Sequence, residues 1–357
     1  MDITEWITSP LSEYGEDKSI ADKLSPLDKE YYQQSSVSPK YYGAPWYVSF
    51  PCISYDMQLF EDSLLYFAAD GEGDEQGFIL DETTPRSKGP DGKTGIIGGI
   101  DYSLDDGLPA TYDQFFLMCD RIVDCGQIPF IWAGGVRSYV NNLFSSLVAT
   151  VEGYDNMLLN YTFDGTAKDL IKSVNDAVVE YEEATQITDT NGYLLRKQKG
   201  NYYALKFLQR LIATENVDGT PKYYDYGTCF SSSTSHIGAQ TKFLQSRYKA
   251  DGIAMLIDGT WWYSEAKDTF NAMSGYGDAS QQNRRIGIMS LPQPEAGQEK
   301  DTTLMNTWTT SVVVRGNINE SVKPLARAFY RYMHTDACLS SYIKEAFGIR
   351  QIGRAHV

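Results

Sequence analysis

The most regular hydrophobic spacing in the chain follows Thr111-Tyr112-Asp113-Gln114. Thr111 is placed to accept from a free backbone N–H and Gln114 to reach back, the capping-box arrangement that opens a helix. Apolar residues then fall at Phe115, Met118, Cys119 and Ile122, one helical face, and Gly126 supplies the stop. Ile128-Pro129-Phe130-Ile131-Trp132 reads as a short buried strand, and helix-to-strand order of this kind is an α/β signature. The same spacing predicts a helix through Leu170, Ile171, Val174, Ala177, Val178 and Tyr181. It predicts others through Ala204, Phe207, Leu208 and Leu211, and through Val322, Leu325, Ala326, Phe329 and Met333. Two further apolar strands run from Ile253 to Ile257 and from Ser311 to Val314. Residues 12–40 are polar and broken by Pro26 and Pro39, so they read as loops and short helices. Tyr41 to Ser54, interrupted by Gly43, Pro45 and Pro51, reads as an irregular extended segment, and residues 70–110 as a long loop or hairpin excursion. Nothing repeats.

Length and charge narrow the class. A chain of 357 residues exceeds a single core of ~250–300 residues and suits about two domains. The formal charge of −16 disfavours nucleic acid as the main partner, since phosphate binding needs a basic face. No apolar run reaches the ~18–20 residues that span a bilayer. Five cysteines (Cys52, Cys119, Cys125, Cys229, Cys338) form no CxxC pair, and with three histidines no zinc spacing occurs. They read as buried thiols acting as small apolar residues. No metal and no cofactor is implied.

Gly89-Pro90-Asp91-Gly92-Lys93-Thr94 ends like a phosphate-binding loop, but its glycines are too close and no strand precedes it, so it reads as a polar turn. Asp101, Asp105 and Asp106 lack the calcium-loop order and read as a capped, solvated loop. No GxSxG elbow accompanies His236 and His334, and His334 reads as a helix C-terminal cap. The richest segment runs from Ile253 through Asp258-Gly259-Thr260-Trp261-Trp262-Tyr263. A buried strand there delivers a turn bearing a carboxylate and three large aromatics. Such a set suits a sugar, whose C–H face packs on indole while a carboxylate accepts from its hydroxyls. The plainer reading makes at least one of the three rings core filler.

These residues resemble a known family. Asp258-Gly259-Thr260-Trp261 after an apolar strand, with Phe243-Leu244 in the helix before it, is similar to the NGPW-type segment of bacterial extracellular solute-binding proteins of the maltose-binding class. Tyr42-Gly43-Ala44-Pro45 with Tyr55-Asp56, Asp106 to Tyr112, and Leu325 to Gly348 resemble three further stretches in the same order. Asp56 stands where that family usually has Asn. The resemblance covers most of residues 40–350 and lacks the family's first strand–helix units and final helical region, so truncation at both ends is expected. Residues 352–357 resemble a sequencing-adapter segment read in frame and are taken as non-native.

The resemblance implies an α/β, two-lobed periplasmic-binding-protein-like fold of class II with lobe one incomplete. Lobe one would comprise 1–54 plus 310–351 and lobe two 60–305, with hinge crossings at 53–59 and 306–311. It implies a non-catalytic receptor of an ABC importer that binds a sugar or oligosaccharide in an interlobe cleft and passes it to membrane permease subunits. Such a receptor is a monomer with no nucleic-acid partner. It is lipid-anchored on the extracellular face or free in the periplasm, with its signal peptide outside this sequence. By the same resemblance Trp261 stacks on a sugar ring and Asp258 accepts from hydroxyls, flanked by Trp262 and Tyr263. Trp132 and Tyr139 would form a second aromatic edge, and Trp46, Tyr55 and Trp308 the hinge side. The rival readings are a carbohydrate-cleaving enzyme, which needs two facing carboxylates, and a receptor for a cationic or peptide solute.

Overall fold

The computed structural model describes residues 1–33, 39–175, 178–247, 251–273, 283–295, 308–346 and 349–350. Contacts divide the chain into two compact units. One comprises Met1–Phe50, Gly259–Glu265 and Thr307–Val357, the other Pro51–Asp258 and Ala266–Asn306. Residues 306 and 307, in the second expected crossing, and 352–357 lie outside the described residues.

The first unit is built on a three-stranded antiparallel sheet in which Gly43–Ser49 lies between Trp308–Val313 and Ile349–Arg350. The expected irregular stretch at 41–54 is thus two strands, Gly43–Ser49 and Pro51–Asp56. Its prolines are absorbed locally. The register slips between Pro45 and Tyr47, a bulge beside a residue that cannot donate to the ladder. Against this sheet a core of Ile3, Trp6, Ile7, Leu11, Ile20, Tyr330 and Leu339 collects the short N-terminal helices and the helix Lys323–Met333. That helix does not bury the face its spacing predicts, for Leu325 and Phe329 are exposed. It buries Tyr330 and Arg331 instead. The Arg331 guanidinium donates to the carbonyls of Trp6 (2.7 Å), Ser9 (3.1 Å) and Pro10 and pairs with Glu13. That guanidinium holds the Glu13 carboxyl down, at about 2.

The second unit carries a four-stranded mixed sheet in the order Ile286–Met289, Pro51–Asp56, Ile253–Gly259, Ile128–Trp132. The last two strands are parallel and the first two antiparallel. Tyr112–Asp124 is the expected helix, with both arms of its Thr111–Gln114 capping box formed. Its Phe115 and Phe116 pack with Phe130 of the sheet and Phe207 of Lys199–Ala213, which is also a helix as its spacing predicts. The expected helix at 170–181 is a hairpin, Ile171–Asn175 paired with Val178–Tyr181. Its β-branched residues lose χ1 freedom in a helix and pair across strands here, as Val174 does with Val179. The longest helix, Ser138–Thr162, interrupted at Gly153 (φ 71°), has no counterpart in the sequence reading.

Smaller expectations divide. Gly89 and Gly92 sit at positive φ in a polar turn where Asp91 accepts from Lys93 N–H (2.8 Å). Asp105 is buried instead of solvated; it accepts from Asp91 N–H (3.2 Å), and burial raises its carboxyl to about 6. Among the described residues no group of three His, Cys, Asp or Glu is placed to hold a metal. Cys52, Cys119 and Cys229 are buried free thiols, while Cys125 is exposed and Cys338 half-buried.

Asp56 ties the second unit together. Its carboxylate caps Met57–Asp62 through Leu59 N–H (3.1 Å) and receives Arg284 at 2.7 Å, both side chains being buried. Asp56→Asn keeps the cap but removes the charge opposite Arg284, so equilibrium urea unfolding should show a loss of about 3–5 kcal/mol. Asp56→Asn with Arg284→Met should recover most of it; no loss in the single variant would refute the assignment.

His334 ends Lys323–Met333 as expected of a cap, its Nδ1–H donating to the Tyr330 carbonyl at 2.7 Å. Burial holds its imidazole down, to about 4, with the Lys23 ammonium adding to the effect. The unfolded chain takes that proton near 6.5, so between the two values it binds more protons than the folded chain. Stability should therefore be full above about pH 6.5 and fall, by up to about 3 kcal/mol, as pH drops toward 4. His334→Gln should flatten this slope in thermal unfolding, and equal slopes would count against it.

Candidate functional site

Strands Ile128–Trp132 and Ile253–Gly259 run parallel with Ile257 opposite Trp132, so their carboxyl ends stand side by side. Outside Ile128–Trp132, Tyr224 bridges Phe130 in the same direction. Phe130 N–H donates to the Tyr223 carbonyl (3.0 Å) and Asp225 N–H to the Phe130 carbonyl (3.1 Å). Three neighbouring segments therefore end together, at Asp258, Trp132 and Asp225. Carboxyl ends of parallel strands are where open α/β sheets seat ligands.

Each end carries distinct chemistry. The Asp258 carboxylate is fully buried (0% exposed) and accepts from Gln240 Nε2 of the helix His236–Ser246 at 3.0 Å. Its charge adds to the burial that pushes the neighbouring Cys52 thiol up to about 12, which keeps that thiol protonated and inert. Trp132 is buried against Tyr224 (ring centroids 5.2 Å) and Phe230 (5.9 Å), and its backbone N–H points at Cys229 Sγ (3.4 Å). Beyond it, Gly134 and Gly135 pass against the turn 228–234. A Cβ at Gly134 would come within 2.5–2.8 Å of the Ser231, Thr228 and Cys229 carbonyl oxygens.

After Asp258 the chain enters the other unit. There the half-buried Trp261 ring folds back over Gly259, where a Cβ would lie 2.1–2.4 Å from three ring carbons. Trp262 is buried and meets the half-buried Tyr263 edge to face at 5.5 Å. Thr260 N–H donates to the Phe50 carbonyl at 3.0 Å, which anchors the turn.

The other expected residues stand elsewhere. Tyr55 is core, packed on Phe60 (4.6 Å) with its ring over Gly287. Tyr139 is buried in the first turn of Ser138–Thr162. Trp46, half-buried in the first unit, donates Nε1–H to the Met333 carbonyl (3.0 Å) and lies 4.1 Å from the Tyr342 ring. Trp308 begins the strand Trp308–Val313, and its side chain lies outside the described residues. The structure thus places Trp132 and Asp258 at adjacent strand ends of one unit, while Trp261, Trp262 and Tyr263 follow Asp258 in the chain and belong to the other unit. The sequence reading did not include Tyr224, Tyr226, Phe230 or the hydroxyl run Ser231–Ser235. Their signal was the close spacing of aromatics from Tyr223 to Phe230 directly before five hydroxyl residues.

Neither a protein-family model nor a curated protein matches the sequence. Solved structures do. The chain is similar to the SBP RafE in complex with raffinose (TM-score 0.54, 15% identity, 98% of this chain and 66% of that one). It is similar to a chitin oligosaccharide binding protein (0.55, 16%, 99% and 61%) and to maltose-bound MalE3 of T. maritima (0.52, 13%, 98% and 62%). It therefore spans less than two thirds of the length of each. The likeness shows the fold, the α/β solute-binding-protein fold expected from the sequence.

Gly259→Ala should drive the Trp261 ring off the backbone, because no Cβ fits beneath it. The expected result is red-shifted tryptophan emission, absent in a Trp261→Phe background, and a stability loss of about 1–3 kcal/mol. Unshifted emission in Gly259→Ala would disprove the packing.

Proposed function

We propose that this chain is the substrate-binding component of an ABC importer and carries a sugar or oligosaccharide to membrane permease subunits without altering it. The single observation that supports this best is the pair of adjacent strand ends bearing the Asp258 carboxylate and the Trp132 indole, set in a fold shared with the raffinose, chitin oligosaccharide and maltose binders above. In this reading Trp261 stacks on a sugar ring with Tyr263 at its flank. Asp258, held by Gln240, accepts from hydroxyls once the ring covering the neighbouring Gly259 moves aside. Trp132, buried at its strand end, backs the site within its own unit, and the buried Tyr139 and Trp262 are kept as flanking candidates. Trp46 and Tyr55 are kept only as hinge-side candidates near the expected crossing at 53–59, and Trp308 near that at 306–311, between lobes 1–54 plus 310–351 and 60–305.

The same reading makes the protein a non-catalytic monomer working outside the cytoplasmic membrane, lipid-anchored or periplasmic. Among the described residues no helix is long and apolar enough to cross a membrane. Aromatic stacking tolerates many sugars, so selectivity would rest on buried polar groups that the wrong sugar leaves unpaired.

Thermal unfolding against a saccharide panel tests the reading. A ligand at ~100 times its dissociation constant should stabilise the wild type by about 2.7 kcal/mol, and Trp261→Ala should abolish the shift. Recovery of cleaved products would instead establish an enzyme, and stabilisation by polyamines alone a receptor for cations.

A further inference from the structure

Beside Trp132 the outermost of the three segments ends in two rings that the core does not use. Tyr226 is 61% and Phe230 51% exposed, yet their rings stack on each other at 5.7 Å with 20° between planes. Phe230 also leans on Trp132 (5.9 Å) and Tyr224 (5.4 Å), so the pair continues the aromatic floor of the strand-end site outward.

The turn that carries them is fixed from several sides. Asp225 N–H is bonded to the sheet edge, and the Asp225 carboxylate pairs with the Lys242 ammonium. Phe230 N–H donates to the Tyr226 carbonyl (3.2 Å), and Gly134 N–H to the Thr228 carbonyl (3.3 Å). Rings held this firmly in water lose little freedom when a guest lies on them. The segment that follows is fringed with hydroxyls, Ser231 and Ser233 sharing a hydrogen bond at 2.8 Å and Ser232, Ser233 and Ser235 being exposed. A cationic guest would need a carboxylate here, and that of Asp225 is already engaged by Lys242. The combination of a ring face with neutral hydroxyls matches a neutral saccharide.

We propose that Tyr226 and Phe230 form an additional sugar-stacking subsite at the outer edge of the strand-end site, so that the ligand is an oligosaccharide and not a single sugar. This rests on the sugar-receptor reading above. The subsite lies about two strand spacings, ~10 Å, from the strand that ends in Asp258. A short saccharide seated at Asp258 falls short of it, and a longer one reaches it.

Isothermal titration calorimetry of the full chain with raffinose and with malto- and chito-oligosaccharides, from disaccharide to hexasaccharide, tests this. Wild-type affinity should rise with chain length. Tyr226→Ala should weaken the longer members about 3- to 10-fold and leave the shortest binding member unchanged. Tyr226→Trp should retain the chain-length gain. Phe230→Ala should act like Tyr226→Ala; because Phe230 also packs on Trp132, its melting temperature is recorded alongside, and the exposed Tyr226 carries the decision. Affinity that does not rise with chain length, or a Tyr226→Ala loss equal at every length or absent, overturns the subsite and leaves the receptor reading standing. Failure of the wild type to bind any saccharide overturns the receptor reading and the subsite with it.

Discussion

The parallel register that sets Ile257 opposite Trp132 governs where the chemistry of this site stands. Side chains alternate along a strand, so a slip of one residue would turn Asp258 to the opposite face and take its carboxylate from Gln240. The strand Ile253–Gly259 is buried along its whole length, as a strand flanked by neighbours and covered on both faces must be. Its apolar run to Ile257 gives way to a carboxylate only at the penultimate residue. The turn beyond needs a glycine because an indole already occupies the space above it.

Both units also hold charges out of water, and each does so by surrounding the charge. Asp56 is met by a backbone N–H and the guanidinium of Arg284, with Arg247 Nε at 3.8 Å. Arg331 spreads its donors over three carbonyls and a carboxylate, which ties the helix Lys323–Met333 to the chain's first residues. Such groups add little net stability over apolar packing, but they are costly to leave half-paired and so favour one arrangement of the chain. The buried Asp56 stands where the resembling family usually has Asn. Here the carboxylate has a cation to answer it.

Legibility in the sequence followed the range of the forces involved. The helix Tyr112–Asp124 was readable because its capping box, apolar stripe and glycine stop lie within fifteen residues of one another. Continuous apolar runs announced Ile128–Trp132 and Ile253–Gly259. The hairpin at 171–181 differs from the expected helix because Ile171, Val174 and Val178 satisfy a helical period as well as two short strands. In Ser138–Thr162 the pairs Asn141-Asn142 and Ser145-Ser146 and the break at Gly153 dilute the apolar stripe. Leu325 and Phe329 match a buried face but stay exposed, since an arginine network chose the other side of that helix. Among the candidate site residues, sequence placed Asp258 and Trp261 at a turn after a buried strand; Trp261 stands just after the strand Ile253–Gly259, whereas Asp258 is still inside it. It could not show that Tyr55 turns inward onto Gly287, or that Tyr226 and Phe230 arrive beside Trp132. Both depend on contacts between residues far apart in the chain.

The Gly134–Gly135 loop meets the 228–234 turn through main chain: Gly134 N–H donates to the Thr228 carbonyl and Gly135 N–H to the Thr234 carbonyl, with no room for a Cβ on the glycine side. Apart from Ser235, whose Oγ caps the helix His236–Ser246 by accepting from Gly238 N–H at 3.1 Å, the side chains of the serine-rich strip are not what these main-chain bonds depend on. Evolution can therefore recolour that rim, trading one hydroxyl for an amide or a methyl, and retune what it recognises while the scaffold underneath keeps its shape.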